Sequence, residues 1–404
     1  MAKRPPNEAR AGRKVAWLNR SILGIGLASL FSDVGHEMAT AAMPVLLASF
    51  GASSALLGLI EGVADGFSSF AKLFSGLYSD RLRRRKPLAV AGYFVTASAM
   101  ASFAFATQWW HVLLARVGGW IGRGARSPVR NVLLTEATSP ATYGRAFGLE
   151  RAMDSAGAVI GPALSVGLVA LVGLRPMFLV TLVPGLLAAC SIIFLVREKA
   201  HEPQPEQTLW QGVRALPNDF RRYLIGVGIA GIGDFSKALL ILWATQAWTP
   251  RFGLARAATL AMTFYIGYNV VYTISCYVSG LLADRFPKQW VLAIGYSVAV
   301  VPATALILPG ESLGKFAVVF AFAGLYMGVW ETLENSTAAT LLPGAIRGLG
   351  FGVLSTVNGL GDFVSSAAVG LLWVFSPAWA MSLVIVSSLG GAAIIASTGP
   401  ARPV

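Results

Sequence analysis

Twelve apolar stretches dominate the chain of 404 residues, near 20–49, 54–78, 88–107, 109–134, 146–172, 175–196, 222–248, 257–281, 289–309, 315–341, 350–375 and 378–398. Most reach the length of about 20 residues that an α-helix needs to cross the hydrocarbon layer. Backbone amides in that layer find no water, so helices that satisfy their own hydrogen bonds are the expected solution. The expected fold is therefore an all-α polytopic membrane protein with twelve transmembrane helices. Charged residues make up only 13% of the chain, against roughly 25% in soluble domains. The net charge of +13 is scattered in short islands between apolar runs, so no basic face for nucleic acid is expected. A disordered chain and a typical cytosolic enzyme are excluded on the same ground. Cys190 and Cys276 are isolated within apolar runs and point to neither a disulfide framework nor a metal cluster. The polar, basic first 20 residues are followed by no small-residue cleavage site, so the first span is expected to be retained.

Lysine and arginine orient the spans. With a cytoplasmic N-terminus, 21 basic residues fall in inside segments, and only Arg175, Arg251, Arg256 and Lys315 fall outside. That asymmetry predicts both termini in the cytoplasm of an inner-membrane protein. The remaining seven basic residues lie in or beside spans.

Midway along the chain, Arg197–Arg222 contains REKAHEPQPEQ, which reads as a cytoplasmic linker. The expected organisation is a tail at 1–19, a six-helix bundle at 20–196, the linker at 197–221, a second bundle at 222–398 and a tail at 399–404. Internal similarity supports two related halves. An offset of 204 residues maps Gly76, Asp80 and Arg81 onto Gly280, Asp284 and Arg285. The same offset carries Phe147-Gly148 onto Phe351-Gly352, Asn131 onto Asn335, Asp154 onto Asn358 and Gly157 onto Gly361. Parallel repeats of this kind place a solute site near the midplane, between the halves.

With these residues in view, the chain resembles the major facilitator superfamily. GLYSDRLRRRK at 76–86 and GLLADRFPK at 280–288 are similar to its loop motif, with Arg83 and Pro287 in place of the usual glycine. Gly157, Gly161 and Pro162 in the fifth span resemble the motif of its proton-coupled exporters. The resemblance implies alternating access by two rocking bundles. It also implies that Asp80 contacts the start of the eleventh helix, near Gly350, and latches the bundles on the cytoplasmic side. Physically, a carboxylate there faces the positive end of a helix, and Arg81, Arg84 and Arg85 can form a charge network around it. Gly157 and Gly161 are expected to permit close helix approach and Pro162 to bend the span, without touching solute.

Ionisable residues within spans are the most informative feature, because each costs roughly 2.5–3.5 kcal/mol if it faces lipid. In the fourth span Arg116, Arg123, Arg126 and Arg130 project within an arc of about 80°. Arg123 and Arg126 are expected to line a polar interior, and Arg130 either to join them or to reach the cytoplasmic surface. The second span carries Glu61, Asp65, Ser68 and Lys72 in one stripe, the first Asp33, His36 and Glu37, and the fifth Glu150 and Asp154. The C-terminal half is sparser. Asp234 and Lys237 are spaced for a local ion pair. Glu331 and Glu334 lack a basic neighbour in sequence, and Asp362 lies one turn from Asn358.

Asp33, Glu37, Asp65, Asp154, Asp234 and Glu331 are the candidates for carrying a proton, unless they serve only to neutralise the arginines. His36, Glu61, Lys72, Arg116, Arg123, Arg126, Arg130, Glu334 and Asp362 are the candidates for the solute cavity. The expected function is secondary active transport, with the fifth-span resemblance favouring efflux coupled to protons. The arginines suggest an anion or an anionic chelate. His36 with its two carboxylates leaves a divalent metal cation open as cargo, and the many aromatic residues leave a drug-like cargo open. Proton-coupled uptake is the remaining transport alternative. Gly226, Gly228 and Gly231 form a G-x-G-x-x-G string inside an apolar helix, not after a strand, so no dinucleotide is expected. No P-loop is present. His111 and His201 complete no catalytic set with His36, so neither an enzyme nor a resident cofactor or metal is expected. A receptor that binds without transporting is a remote alternative. The partners expected are a small solute, protons and lipid, for a chain working as a monomer.

Overall fold

A computed structural model describes residues 17–198, 200–203, 208–234 and 237–398, apart from the side chains at 54, 55, 237, 238 and 374. Every regular element among them is helical. Twelve rods run Arg20–Ser49, Ser54–Arg81, Lys86–Ala101 with the turn Ser102–Phe105, Trp109–Glu136, Tyr143–Val172, and Leu174–Val180 with Leu182–Leu195. The second set runs Asn218–Gly231 with Lys237–Phe252, Leu254–Arg285, Lys288–Val298 with Val300–Ile307, Leu313–Leu341, Arg347–Phe375 and Pro377–Ala396. Seven of the twelve are long and apolar enough to cross a membrane on that ground alone. The second and fourth, which carry the charged stripes, are not among them.

Several helices outrun their apolar stretches by about a turn. The second runs to Arg81, the eighth to Arg285, and the fifth begins at Tyr143. Asp80 and Asp284 thus belong to last helical turns. The segment between the bundles also holds a short helix, Leu209–Arg214, started by reciprocal bonds between Thr208 and Gln211. Hydropathy cannot reveal such a helix, because its start is set by a capping box. The tails, apart from their described edges, and the Lys237 side chain lie outside the described residues.

Within the N-terminal half the first span packs on the fifth and the fourth on the second and third. Two seams join the halves, the fifth span against the eighth and the second against the eleventh. Both seams close tightly at the end that carries the repeated loop motifs, called here the motif end. A Cβ added at Gly76 would collide with the Gly348 carbonyl oxygen, and one at Gly280 with that of Gly144. At the same end Asp80 accepts hydrogen bonds from the Gly348 and Leu349 amides at 3.0 and 2.8 Å. Asp284 mirrors it, accepting from the Gly144 and Arg145 amides at 2.8 and 3.2 Å. Each carboxylate satisfies amides that the first turn of a helix leaves without partners, and lies at its positive end. Arg85 pairs with Asp80 at 3.2 Å and also with Glu136. Arg145 pairs with Asp284 at 2.6 Å. Arg84 and Arg285 are exposed, and Arg81 is half-buried.

The fifth span meets the first through Gly157 and Gly161. A Cβ on Gly161 would lie 2.8 Å from both Glu37 Cβ and the Val34 carbonyl oxygen. A Cβ on Gly167 would meet none of the described residues' atoms within 4 Å. Gly161→Val should therefore destabilise the purified protein by about 1–3 kcal/mol through overpacking, seen as a markedly lower melting temperature. Gly167→Val should leave it nearly unchanged. Melting curves of the two variants check this.

Candidate functional site

A central cavity of about 220 Å³ lies between the bundles. Its N-terminal wall carries Lys72, Arg123, Arg126, Arg130, Arg151 and Asp154, and its C-terminal wall Glu331, Glu334 and Asp362. Cations thus gather on one half and carboxylates face them from the other.

The fourth span's arginines find different partners. Arg123 pairs with Asp33 at 2.8 Å. Arg130 lies 2.8 Å from Glu150 and 3.8 Å from Asp154, with its amino group also on Ser29 at 2.9 Å. Arg126 is 1% exposed. Its guanidinium sits 4.2 Å above the Tyr93 ring and donates one bond to Ser32 at 2.8 Å. Its Nε and Nη1 have no hydrogen-bond partner, and no carboxylate reaches it within ion-pair distance among the described residues. Asn131 donates to Asn335 at 2.8 Å, so two residues equivalent in the repeat meet across the halves.

Three residues expected on the cavity wall lie off it. Arg116 is buried away from the solute space, pairing with Glu61 at 2.9 Å and donating to Thr40 at 2.9 Å. Seven residues beyond it along the helix, Arg123 already reaches the cavity; Glu61 on the second span holds Arg116 and is itself consumed. His36 is buried edge-on against Trp120, with ring centroids 4.9 Å apart, in a small neighbouring pocket with Ser32 and Tyr93. Asp33 stands behind Arg123, and Glu37 is half-buried beside Gly161. Asp65 is exposed on the second span, and Asp234 is half-buried at the interruption of the seventh. No group of three or more candidate metal ligands occurs among the described residues.

Several site residues escaped the sequence reading. Arg151 touches Glu150 at 3.0 Å, Asp154 at 3.2 Å and Glu331 at 3.6 Å, which ties the two halves together. Its place between two acids within an apolar span was the available signal. Trp120 lies between the guanidinium carbons of Arg116 and Arg123, at 5.1 and 5.3 Å. Glu331 accepts from the Tyr272 hydroxyl, and Glu334 from Tyr296, Trp330 and Asn358. Those neutral donors let Glu334 remain 1% exposed with no basic partner among the described residues.

Twelve helices in two related bundles, clasped at one end around a polar midplane cavity, define a membrane transporter. The Major Facilitator Superfamily model matches residues 25–366, and the chain belongs to that family. It is 27% identical over 364 residues to "Uncharacterized MFS-type transporter MJ1317" of Methanocaldococcus jannaschii, covering 89% of this chain and 90% of that one. It is 25% identical over 402 residues to the 4-hydroxybenzoate transporter PcaK of Pseudomonas aeruginosa, covering 88% of each. Its fold matches the crystal structure of a bacterial homologue of the iron transporter ferroportin in an outward-facing state, with a TM-score of 0.77 at 14% identity over 94% of this chain and 99% of that one. The chain is thus a multi-pass carrier of small solutes, not an enzyme.

Removing one member of a buried ion-pair set strands the other charge. Glu150→Ala should lower unfolding stability by about 3–5 kcal/mol, as measured by denaturant unfolding in detergent. Substitution of the exposed Arg84 by alanine should change it by less than about 0.5 kcal/mol.

Proposed function

We propose that the chain is a proton-coupled secondary transporter whose cargo is a small organic anion carrying a carboxylate. One observation carries the reading: Arg126, buried on the cavity wall, has two unspent guanidinium nitrogens and no carboxylate partner among the described residues. A buried cation without a counter-charge is costly. A carboxylate entering the cavity would supply both the charge and acceptors for charge-assisted hydrogen bonds. Arg123 and Arg130 are already committed to Asp33, Glu150 and Asp154. The cavity's size suits a small solute. A relative named for 4-hydroxybenzoate, a compact carboxylate, is in keeping with this class.

Coupling then follows from competition for arginine. A proton on Asp33 would free Arg123 for the anion, and its departure would restore the pair. Asp154 and Glu331 can serve in the same way through Arg130 and Arg151. With both termini in the cytoplasm, the motif end is the cytoplasmic side. The Asp80 and Asp284 clasps would then break when the carrier opens inward. The Gly157, Gly161 and Pro162 motif favours export, with protons entering as the anion leaves.

Melting shifts of the purified protein with 4-hydroxybenzoate, an iron–citrate chelate and tetraphenylphosphonium test the cargo class. The carboxylate should stabilise the protein, and Arg126→Ala should weaken that stabilisation by about 10–100-fold in affinity. Stabilisation by the cation alone rejects an anionic cargo, and stabilisation by the carboxylate equally in Arg126→Ala rejects Arg126 as its partner. In proteoliposomes, accumulation of labelled anion against an imposed pH gradient reports coupling and direction. Transport indifferent to collapse of the gradient rejects the coupling.

A further inference from the structure

The seam between the second and eleventh spans is packed over only part of its length. At the motif end Gly76 meets Gly348 and Gly352. Further along, a Cβ on Gly352 would lie 3.3 Å from Leu73 Cα, and one on Gly359 would lie 2.7 Å from Ser69 Oγ. Beyond Ser69 the helices part. A Cβ added at Gly58, Gly62 or Gly66 on the second span, or at Gly370 on the eleventh, would meet none of the described residues' atoms within 4 Å. Asp65, Gly62, Asp362 and Ser366 are exposed.

The open portion continues the packed face. Ser69, Asp65, Gly62 and Gly58 recur at steps of four, three and four residues, and Gly359, Asp362, Ser366 and Gly370 at steps of three, four and four. Both series therefore stay on one side of their helices. The spans run antiparallel, so the register set by Ser69 beside Gly359 carries Gly62 opposite Ser366 and Gly58 opposite Gly370. Small residues on both sides permit the close approach already seen at the motif end.

We propose that these outer halves form the second gate of the carrier, and that the gate closes only after one proton binds between Asp65 and Asp362. Closure in this register brings the two carboxylates together. The charged groups within electrostatic reach of Asp65 are Glu61, Lys72, Arg116 and Arg123. Those within reach of Asp362 are Lys72, Asp65 and Glu331. Arg116 is held by Glu61 and Arg123 by Asp33. Glu331 is paired with Arg151, so Lys72 is left to balance the two aspartates, and one proton makes up the difference. That proton enters from the solution in the open cleft. Asp362 lines the central cavity, so the proton leaves through the cavity once the motif end has opened. The coupling proton would then sit at the gate as well as beside the arginines. The inference rests on the proton-coupled reading above, but not on the identity of the cargo.

Cross-linking of the full-length protein tests it without any solute. In a background with Cys190→Ser and Cys276→Ala, the pair Gly62→Cys with Ser366→Cys is treated with a short bis-methanethiosulfonate, which forms one disulfide with each cysteine and releases methanesulfinate at each end. The pair Gly58→Cys with Gly370→Cys is a second far-end probe, and Ser69→Cys with Gly359→Cys reports the packed seam. Expressed relative to the reference pair at the same pH, which corrects for the smaller thiolate fraction in acid, the far-end pairs should cross-link about tenfold more at about pH 5.5 than at about pH 8. Adding Asp65→Asn or Asp362→Asn should raise far-end cross-linking at the higher pH to the acid level. Far-end pairs that never cross-link while the reference pair does would overturn the gate. Far-end cross-linking independent of pH with both aspartates present would overturn the proton requirement. Neither result depends on anion transport, so the cargo reading stands or falls separately.

Discussion

Burying guanidinium groups within a low-dielectric layer is the constraint around which this protein is arranged. Four arginines along one face of the fourth span would be costly against lipid. Three are accommodated because the second span brings Glu61, the first Asp33, and the fifth Glu150 and Asp154, while Arg126 rests on Tyr93 and Ser32. The ion pairs therefore tie the fourth span to the second, first and fifth. Gly157 and Gly161 then let the fifth span approach the first close to Asp33 and Glu37. Packing and charge compensation are one arrangement in the N-terminal bundle.

The repeat shows in three dimensions as contacts between equivalent residues. Asn131 bonds to Asn335, and the Phe147 and Phe351 rings lie 6.1 Å apart. The Asp80 and Asp284 clasps are likewise related. Charge breaks the symmetry. The arginine network belongs to the N-terminal half, while the C-terminal wall holds Glu334 with neutral donors. The cavity is thereby polarised from one bundle to the other.

Much of the framework was legible in the sequence. Hydropathy marked twelve spans within about a turn of the helices observed, and the offset of 204 residues marked the related halves. Helical periodicity placed the arginines on one stripe. What it could not tell is how the members of that stripe differ. Arg116, Arg123, Arg126 and Arg130 look alike in sequence, and only tertiary neighbours leave Arg126 without a carboxylate among the described residues. The bridge from Arg151 to Glu331 joins residues 180 positions apart in sequence. Local pattern carries no trace of such a pairing. The placement of His36 against Trp120, off the cavity wall, has the same origin.

The polarised cavity bears on how such a carrier can diversify. Residues on the cationic wall also hold their own bundle together, so altering them trades recognition against folding. Ser355 on the opposite wall is uncharged and stands outside the ion-pair network. Variation there reshapes what the chamber accepts while the charged scaffold stays intact, and new cargo preferences would accumulate on the side that bears less of the architecture.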